Sequence, residues 1–213
     1  MPLLPAVTTV VSLVFGLIVF VRYGRSRRTA LLMWGVGFLM FAVAALAGGL
    51  ARGEIGDAAS EYRLFYAFGA IANVAWLALG TLYLLWPRVA PAALAIVIVL
   101  TLFSFVAVVV TPVDVRVALD SGRGFPDGSL PRILAAIGSG VGSLVLIGGA
   151  LWSAFVFMRR RQNGRRALAN VIIAVGVIIV AAGGTVTFTG ANGVLETTNL
   201  VGLCVMFAGF LLA

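Results

Sequence analysis

The sequence predicts an all-α integral membrane protein, a bundle of seven transmembrane helices with its N-terminus outside and its C-terminus in the cytoplasm. Three observations lead there. Hydrophobic residues make up 62% of the 213-residue chain and charged residues 10%, against roughly 25% charged in a soluble domain. The charged side chains fall in short clusters. Between them, 6–22, 30–50, 63–86, 91–111, 132–158, 167–188 and 195–213 are apolar runs, each near the ~20 residues a helix needs to cross the hydrocarbon of a bilayer. The connectors between the runs alternate in charge. The whole chain, 1–213, reads as one membrane domain, because the longest connector, Pro112 to Pro131, is too short for a soluble one.

The first run, Met1 to Val21, has no basic stretch ahead of it and leads into an arginine cluster, not a small-residue cleavage site. It is therefore expected to be a retained spanning helix and not a signal peptide. Arg22, Arg25, Arg27 and Arg28 separate the first and second spans, Arg88 the third and fourth, and Arg159, Arg160, Arg161, Arg165 and Arg166 the fifth and sixth. These connectors hold no acid. The opposite side holds Arg52, Arg63, Arg116, Arg123 and Arg132 with all seven acids, Glu54, Asp57, Glu61, Asp114, Asp120, Asp127 and Glu196. Basic residues in short loops stay cytoplasmic during insertion, which sets the orientation and points to the cytoplasmic (inner) membrane. The same rule accounts for the net charge of +8 without a nucleic-acid partner; contact of the clusters with anionic membrane lipid follows as a by-product.

Aromatic residues mark the span ends, with Tyr62, Phe65 and Tyr66 opening the third run and Tyr83 and Trp86 closing it, as expected for amphipathic rings at the interface. Pro87, Pro91, Pro112 and Pro131 punctuate starts and stops, and none falls in the middle of a span. In the connector 112–131, Val113 to Val117 alternates like a short strand, while Asp120-Ser121-Gly122 and Pro126-Asp127-Gly128 are turn chemistry. This segment is either a lid over the bundle or a plain hydrophilic connector. A faint echo links the first three spans to the last three, through Phe20-Val21-Arg22 and Ala47-Gly48-Gly49 against Phe157-Met158-Arg159 and Ala182-Gly183-Gly184. A parallel repeat of three helices around a fourth is one transporter plan.

Polar groups inside a span face the protein interior, since lipid offers them no partner. In the third span Tyr66, Gly69, Asn73, Trp76, Gly80 and Tyr83 recur at helical spacing on one face. The seventh span carries Glu196, Asn199, Gly202, Met206 and Gly209, and the fifth carries Ser139 and Ser143 among glycines. Two readings stand. One is packing, in which small residues let backbones approach and a buried hydrogen bond adds about 0.6 kcal/mol. The other is a ligand cavity with an aromatic wall and a few polar groups, its candidate residues being Tyr66, Asn73, Trp76, Ser143, Glu196 and Asn199.

The absences exclude much. A microbial rhodopsin shares this topology but needs a lysine in its seventh helix, and the chain has neither Lys nor His. Retinal, haem bound by His, and a zinc site are thereby excluded, with a single Cys, Cys204, left. No buried acid or base equips a proton relay, and Ser139 and Ser143 lack a base for nucleophilic catalysis. Pro-Gln pairs, found in seven-helix sugar transporters, do not occur; Arg88 follows Pro87. No cofactor or metal is expected.

Tyr62 to Leu85, Arg166 to Gly176 and Phe207 to Ala213 resemble segments of a family of uncharacterised bacterial seven-helix proteins. The resemblance implies the same fold, attaches no activity, and implies that Tyr62-Arg63 belongs to the family's pattern. The expectation is a non-enzymatic polytopic membrane protein acting as a lipid or small-ligand binding module, or as an assembly module with a second copy or a membrane-protein partner. The alternative is a facilitative transporter of a small neutral solute.

Overall fold

The computed structural model describes residues 3–53, 55–159, 164–189 and 194–212. Glu54, Arg160, Arg161 and both extreme ends, which figure in the charge pattern and span limits above, lie outside the described residues. Among the described residues the chain forms eight helices. They are α1 (Leu3–Ser26), α2 (Thr29–Arg52), α3 (Ala58–Leu85), α4 (Ala90–Val110), the short α5 (Val115–Ser121), α6 (Leu130–Arg159), α7 (Gly164–Phe188) and α8 (Leu195–Leu212). All but α5 are long and apolar enough to cross a membrane. Five of the seven runs reappear longer at one or both ends, because their polar first and last turns stay helical, and 91–111 is shifted by one residue.

The connector gives the main departure. Val113 to Val117 is not a strand. Asp114 caps α5, its Oδ1 accepting from the Val117 N–H at 3.1 Å, and Gly122 ends it in the left-handed region at φ 72°. Satisfying free N–H groups at a helix start outweighs an alternation only five residues long. The turn at Pro126-Asp127-Gly128 forms as expected, with Gly128 at φ 71° and the Ser129 N–H donating to the Pro126 carbonyl at 3.1 Å.

Six spans close a ring in the order α1, α2, α3, α6, α7, α8 and back to α1, and α4 packs outside it against α3 and the start of α6. Consistent with that position, α4 exposes Ile96, Val99, Leu102, Val109 and Val110. Several hydroxyls within the spans bond their own helix: Thr8, Thr9 and Ser12 donate to the carbonyls of Leu4, Pro5 and Thr8 at 2.7–2.9 Å, the economical solution where no water is available.

The arginine-rich half of the ring is tightly packed. Phe15 stacks on Phe38 with ring centroids 3.8 Å apart and touches Phe207 and Phe210. Val19, Leu77, Ala78, Leu146, Val177, Leu203 and Met206 complete this core. Arg22 lies over the Phe210 ring, 4.3 Å from its centroid. Trp34 reaches from α2 to donate to the Leu77 carbonyl of α3 at 3.0 Å. Gly176 and Gly202 bring α7 and α8 so close that a Cβ on either would lie 2.7 Å from the other's carbonyl oxygen. Lipid supplies no hydrophobic drive for helices to associate, so such contacts hold them together.

A second core occupies the acid-bearing half, built from Tyr62, Tyr66, Ile71, Val108, Ala118, Phe125 and Leu134. Here two spans leave the α-helical ladder. Tyr66–Ala72 of α3 and Ala136–Val141 of α6 are π-helical turns, with no proline in either. They pack against each other: a Cβ on Gly138 would strike the Ile71 carbonyl oxygen, and Ser139 Oγ donates to the Ala70 carbonyl at 2.6 Å.

Candidate ligand cavity

Between the two cores lies a cavity of about 730 Å³, walled by α2, α3, α6, α7 and α8 and roofed by the 122–125 segment. Its size falls in the range of small-molecule sites, about 300–1,000 Å³. Its wall is mainly apolar, with Phe41, Ala44, Phe65, Val74, Ile147 and Val180 representative.

The roof is pinned from α3. Tyr62 Oη donates to the Gly122 carbonyl at 2.7 Å and accepts from the Gly124 N–H at 3.0 Å, using both faces of its hydroxyl. Phe125 is buried against Tyr62 and edge-on to Tyr66, with centroids 5.5 and 4.9 Å away. Next to Tyr62, Arg63 donates to the carbonyls of Val108 and Thr111 at 2.8 and 3.3 Å, satisfying the end of α4. The connector is therefore a packed lid, and the Tyr62-Arg63 pair clamps both it and α4.

Of the six candidate residues, Tyr66, Asn73, Ser143 and Asn199 stand on the cavity wall. Asn73 is buried, and its Oδ1 accepts from the Val74 N–H at 2.6 Å. Its amide nitrogen, Ser143 Oγ and the Asn199 amide make no hydrogen bond to any described residue, so three polar side chains face the cavity with capacity to spare. Trp76 and Glu196 stand elsewhere. Trp76 Nε1 donates to Thr101 Oγ1 at 3.0 Å, bracing α3 against α4. Glu196 pairs with Arg52, joining the start of α8 to the end of α2. The third-span stripe assumed 3.6 residues per turn throughout, but a π turn takes an extra residue. Trp76, Gly80 and Tyr83 do not line the cavity, whereas Gly69 and Gly80, on either side of the turn's end, both turn to α2. Gly80 packs on Trp34 and Gly69 on Ala44.

Sequence reasoning passed over Arg123 and Arg132 as cavity residues. Both reach the rim, and both bond the same oxygen of Asp127, Arg123 Nη2 at 2.9 Å and Arg132 Nη1 at 2.7 Å. Arg132 is almost wholly buried at the head of an apolar span, and that position, next to Pro131, was the available signal. Ser139, noted as polar, serves the α3–α6 contact while also lining the cavity.

The fold and site define a multi-pass helical membrane protein with seven candidate membrane-spanning helices. The chain matches no protein-family model, no curated protein and no solved structure. No family is thereby identified, and the resemblance to bacterial seven-helix proteins rests on the three segments that carry it.

Proposed function

We propose that this protein is a non-enzymatic binding module of the cytoplasmic membrane, oriented with its N-terminus outside, that holds a lipid or other weakly polar ligand in the cavity of its acid-bearing half. The observation that carries this reading is the cavity itself: about 730 Å³ of mainly apolar space, bordered by two π-helical turns, with Asn73, Ser143 and Asn199 facing it. π turns occur frequently at functional sites, where they re-aim side chains. Among its described lining residues no hydroxyl stands with a carboxylate or imidazole, which favours binding over hydrolysis. The orientation rests on the ten arginines of the acid-free connectors.

Native mass spectrometry of protein gently extracted from its own membrane tests the reading. A retained small molecule or lipid, lost in Asn73→Leu, is the expected result. A bare protein whose Asn73→Leu variant is merely less stable would sink it and leave packing as the role of the polar stripe.

The second reading, facilitative transport of a small neutral solute, is favoured by the ring. The first three spans and the last three pair in the same order, and α4 stands outside, as in a three-plus-one-plus-three plan. Uptake into proteoliposomes across a panel of neutral solutes is its test, and no flux counts against it.

A further inference from the structure

The mouth of the cavity is marked by residues that line it and are also exposed. Among the described residues these are Ala136, Gly140, Val141 and Leu144 on α6 and Gly184 and Thr185 on α7. The lining residues of α2, α3, α8 and the lid are buried or half-buried. The backbone explains the difference. Helix α6 packs on α7 along Gly142–Arg159, whereas the π turn Ala136–Val141 makes no comparable contact with α7 among the described residues. Where the two helices part, a Cβ added at Gly140 or Gly184 would meet nothing within 4 Å, and Leu144 is 73% exposed.

The opening is a slot in the side of the bundle, not a hole in its end. From Ala136 to Leu144 it runs about 12 Å along α6, at ~1.5 Å per residue, within two candidate membrane spans. The end of the cavity is covered by the lid, which Tyr62 holds through two hydrogen bonds and Phe125 seals. Acyl chains therefore stand at the slot, and water at the lid. Thr185, on the slot, turns its hydroxyl to the Ala181 carbonyl of its own helix at 2.9 Å, as a hydroxyl facing lipid must.

The polar groups behind the slot are uncharged. Gly142 lies against the Val74 backbone, so Ser143 and Asn73 stand at one depth, level with the inner end of the slot. No carboxylate lines the cavity among the described residues. An ionised group pays heavily to pass through hydrocarbon. A hydroxyl, ester or ketone oxygen passes at far lower cost and gains at Asn73 and Ser143 the hydrogen bonds that hydrocarbon denies it.

Resting on the binding reading above, we infer that the ligand is an uncharged lipid that enters sideways from the bilayer, between α6 and α7. Its oxygen bonds Asn73 and Ser143, its chain lies along the apolar wall, and the lid stays shut during entry.

The test uses the full-length protein in a neutral detergent with three probes of like chain length. These are oleyl alcohol, 1-octadecene, which lacks the oxygen, and oleyl sulfate, which carries a fixed charge. Native mass spectrometry reads retention. The alcohol is expected to be held about tenfold more tightly than the alkene, the worth of one net hydrogen bond, and more tightly than the sulfate. Ser143→Ala is expected to reduce the preference over the alkene. Protein loaded with deuterated alcohol and chased with the unlabelled form reads exchange. Gly140→Leu and Gly184→Leu, which fill the slot, are each expected to slow exchange several-fold. Gly148→Leu, at an equally open glycine of α6 that does not line the cavity, is expected to leave it unchanged, as is Tyr62→Phe in the lid. Melting temperatures show which variants keep the fold. Sulfate held as tightly as alcohol, or alkene held as tightly as alcohol, overturns the uncharged polar lipid while leaving a binding cavity. Native exchange rates in both folded slot variants, or faster exchange in Tyr62→Phe, overturn the side entry. No retention of any probe overturns both this inference and the binding reading.

Discussion

The two halves of the ring use the same residue types to opposite ends. In the arginine-rich half, glycines let helices touch, as Gly176 meets Gly202, and phenylalanines stack around Phe15. In the acid-bearing half, Gly140 and Gly184 face open space, and the helices diverge around the cavity. The difference lies in the backbone. Two facing π turns on α3 and α6 lock those helices together at Gly138 and Ser139, while α7 does not follow α6 to the same depth. Glycine in a membrane helix thus marks either close contact or room to spare, and composition alone does not distinguish them.

Substitutions at glycine expose this contrast most strongly. Gly176→Val is expected to destroy the folded state, because its side chain meets the Gly202 carbonyl oxygen and the Met206 backbone, which cannot rotate away. Overpacking against a movable neighbour costs about 1–3 kcal/mol, and a fixed one costs more. Gly184→Ala in the acid-bearing half, with nothing within 4 Å, is expected to leave stability within about 0.5 kcal/mol. Size-exclusion profiles and melting temperatures in detergent check the pair; equal effects would dissolve the contrast between the halves.

A core substitution compares the halves next. Phe15→Ala is expected to cost about 3–5 kcal/mol, as for other buried aromatics, whereas Ser143→Leu on the cavity wall is expected to alter stability little and to abolish ligand retention. A stable Phe15→Ala variant would show the arginine-rich half to be less tightly built than its stacked rings indicate.

Tyr62→Phe probes the lid. Removing its hydroxyl leaves the Gly122 carbonyl and the Gly124 N–H without their partner, at about 1–3 kcal/mol for buried groups. Proteolysis within 112–129 is expected to quicken while the spans stay protected, and an unchanged rate would show the lid to be held by Phe125 alone. Trp76→Phe, which loses only the bond to Thr101, is expected to cost about 0.6 kcal/mol and to leave ligand binding intact; lost binding would return Trp76 to the cavity wall.

The smallest effect concerns Asp57 at the start of α3. Hydrogen bonds from the Ser60 hydroxyl and from the Ser60 and Ala59 N–H groups hold its carboxyl below the usual value of 3.8, with help from Arg63. A lowered folded-state value means that its contribution is complete above 3.8 and is lost as the pH falls through that lower value. The melting difference between the native protein and Asp57→Ala is therefore expected at neutral pH and should close in strong acid. A difference independent of pH would deny the carboxylate any role as a cap.

Much of the fold was legible. Span positions followed from where the arginines stop, and Pro87, Pro112 and Pro131 fell at helix limits as their missing N–H requires. The candidate site was half legible. Asn73, Ser143 and Asn199 were found because polar atoms in a span must turn from lipid. Trp76 was misplaced because a large ring with one donor serves equally well against a neighbouring threonine. Glu196 was misplaced because its partner Arg52 lies far away in the chain.

The sequence by itself determined the seven candidate membrane spans, because hydrocarbon accepts only apolar, internally hydrogen-bonded segments. Tertiary structure alone decided where those helices touch and where they part. Whether Gly138 makes a backbone contact and Gly140 makes none depends on the facing π turns, whose extra residue re-aims every side chain beyond them. That shift leaves no mark on the hydropathy of a span, and it is what gathers two arginines, three polar side chains and an apolar wall into one cavity.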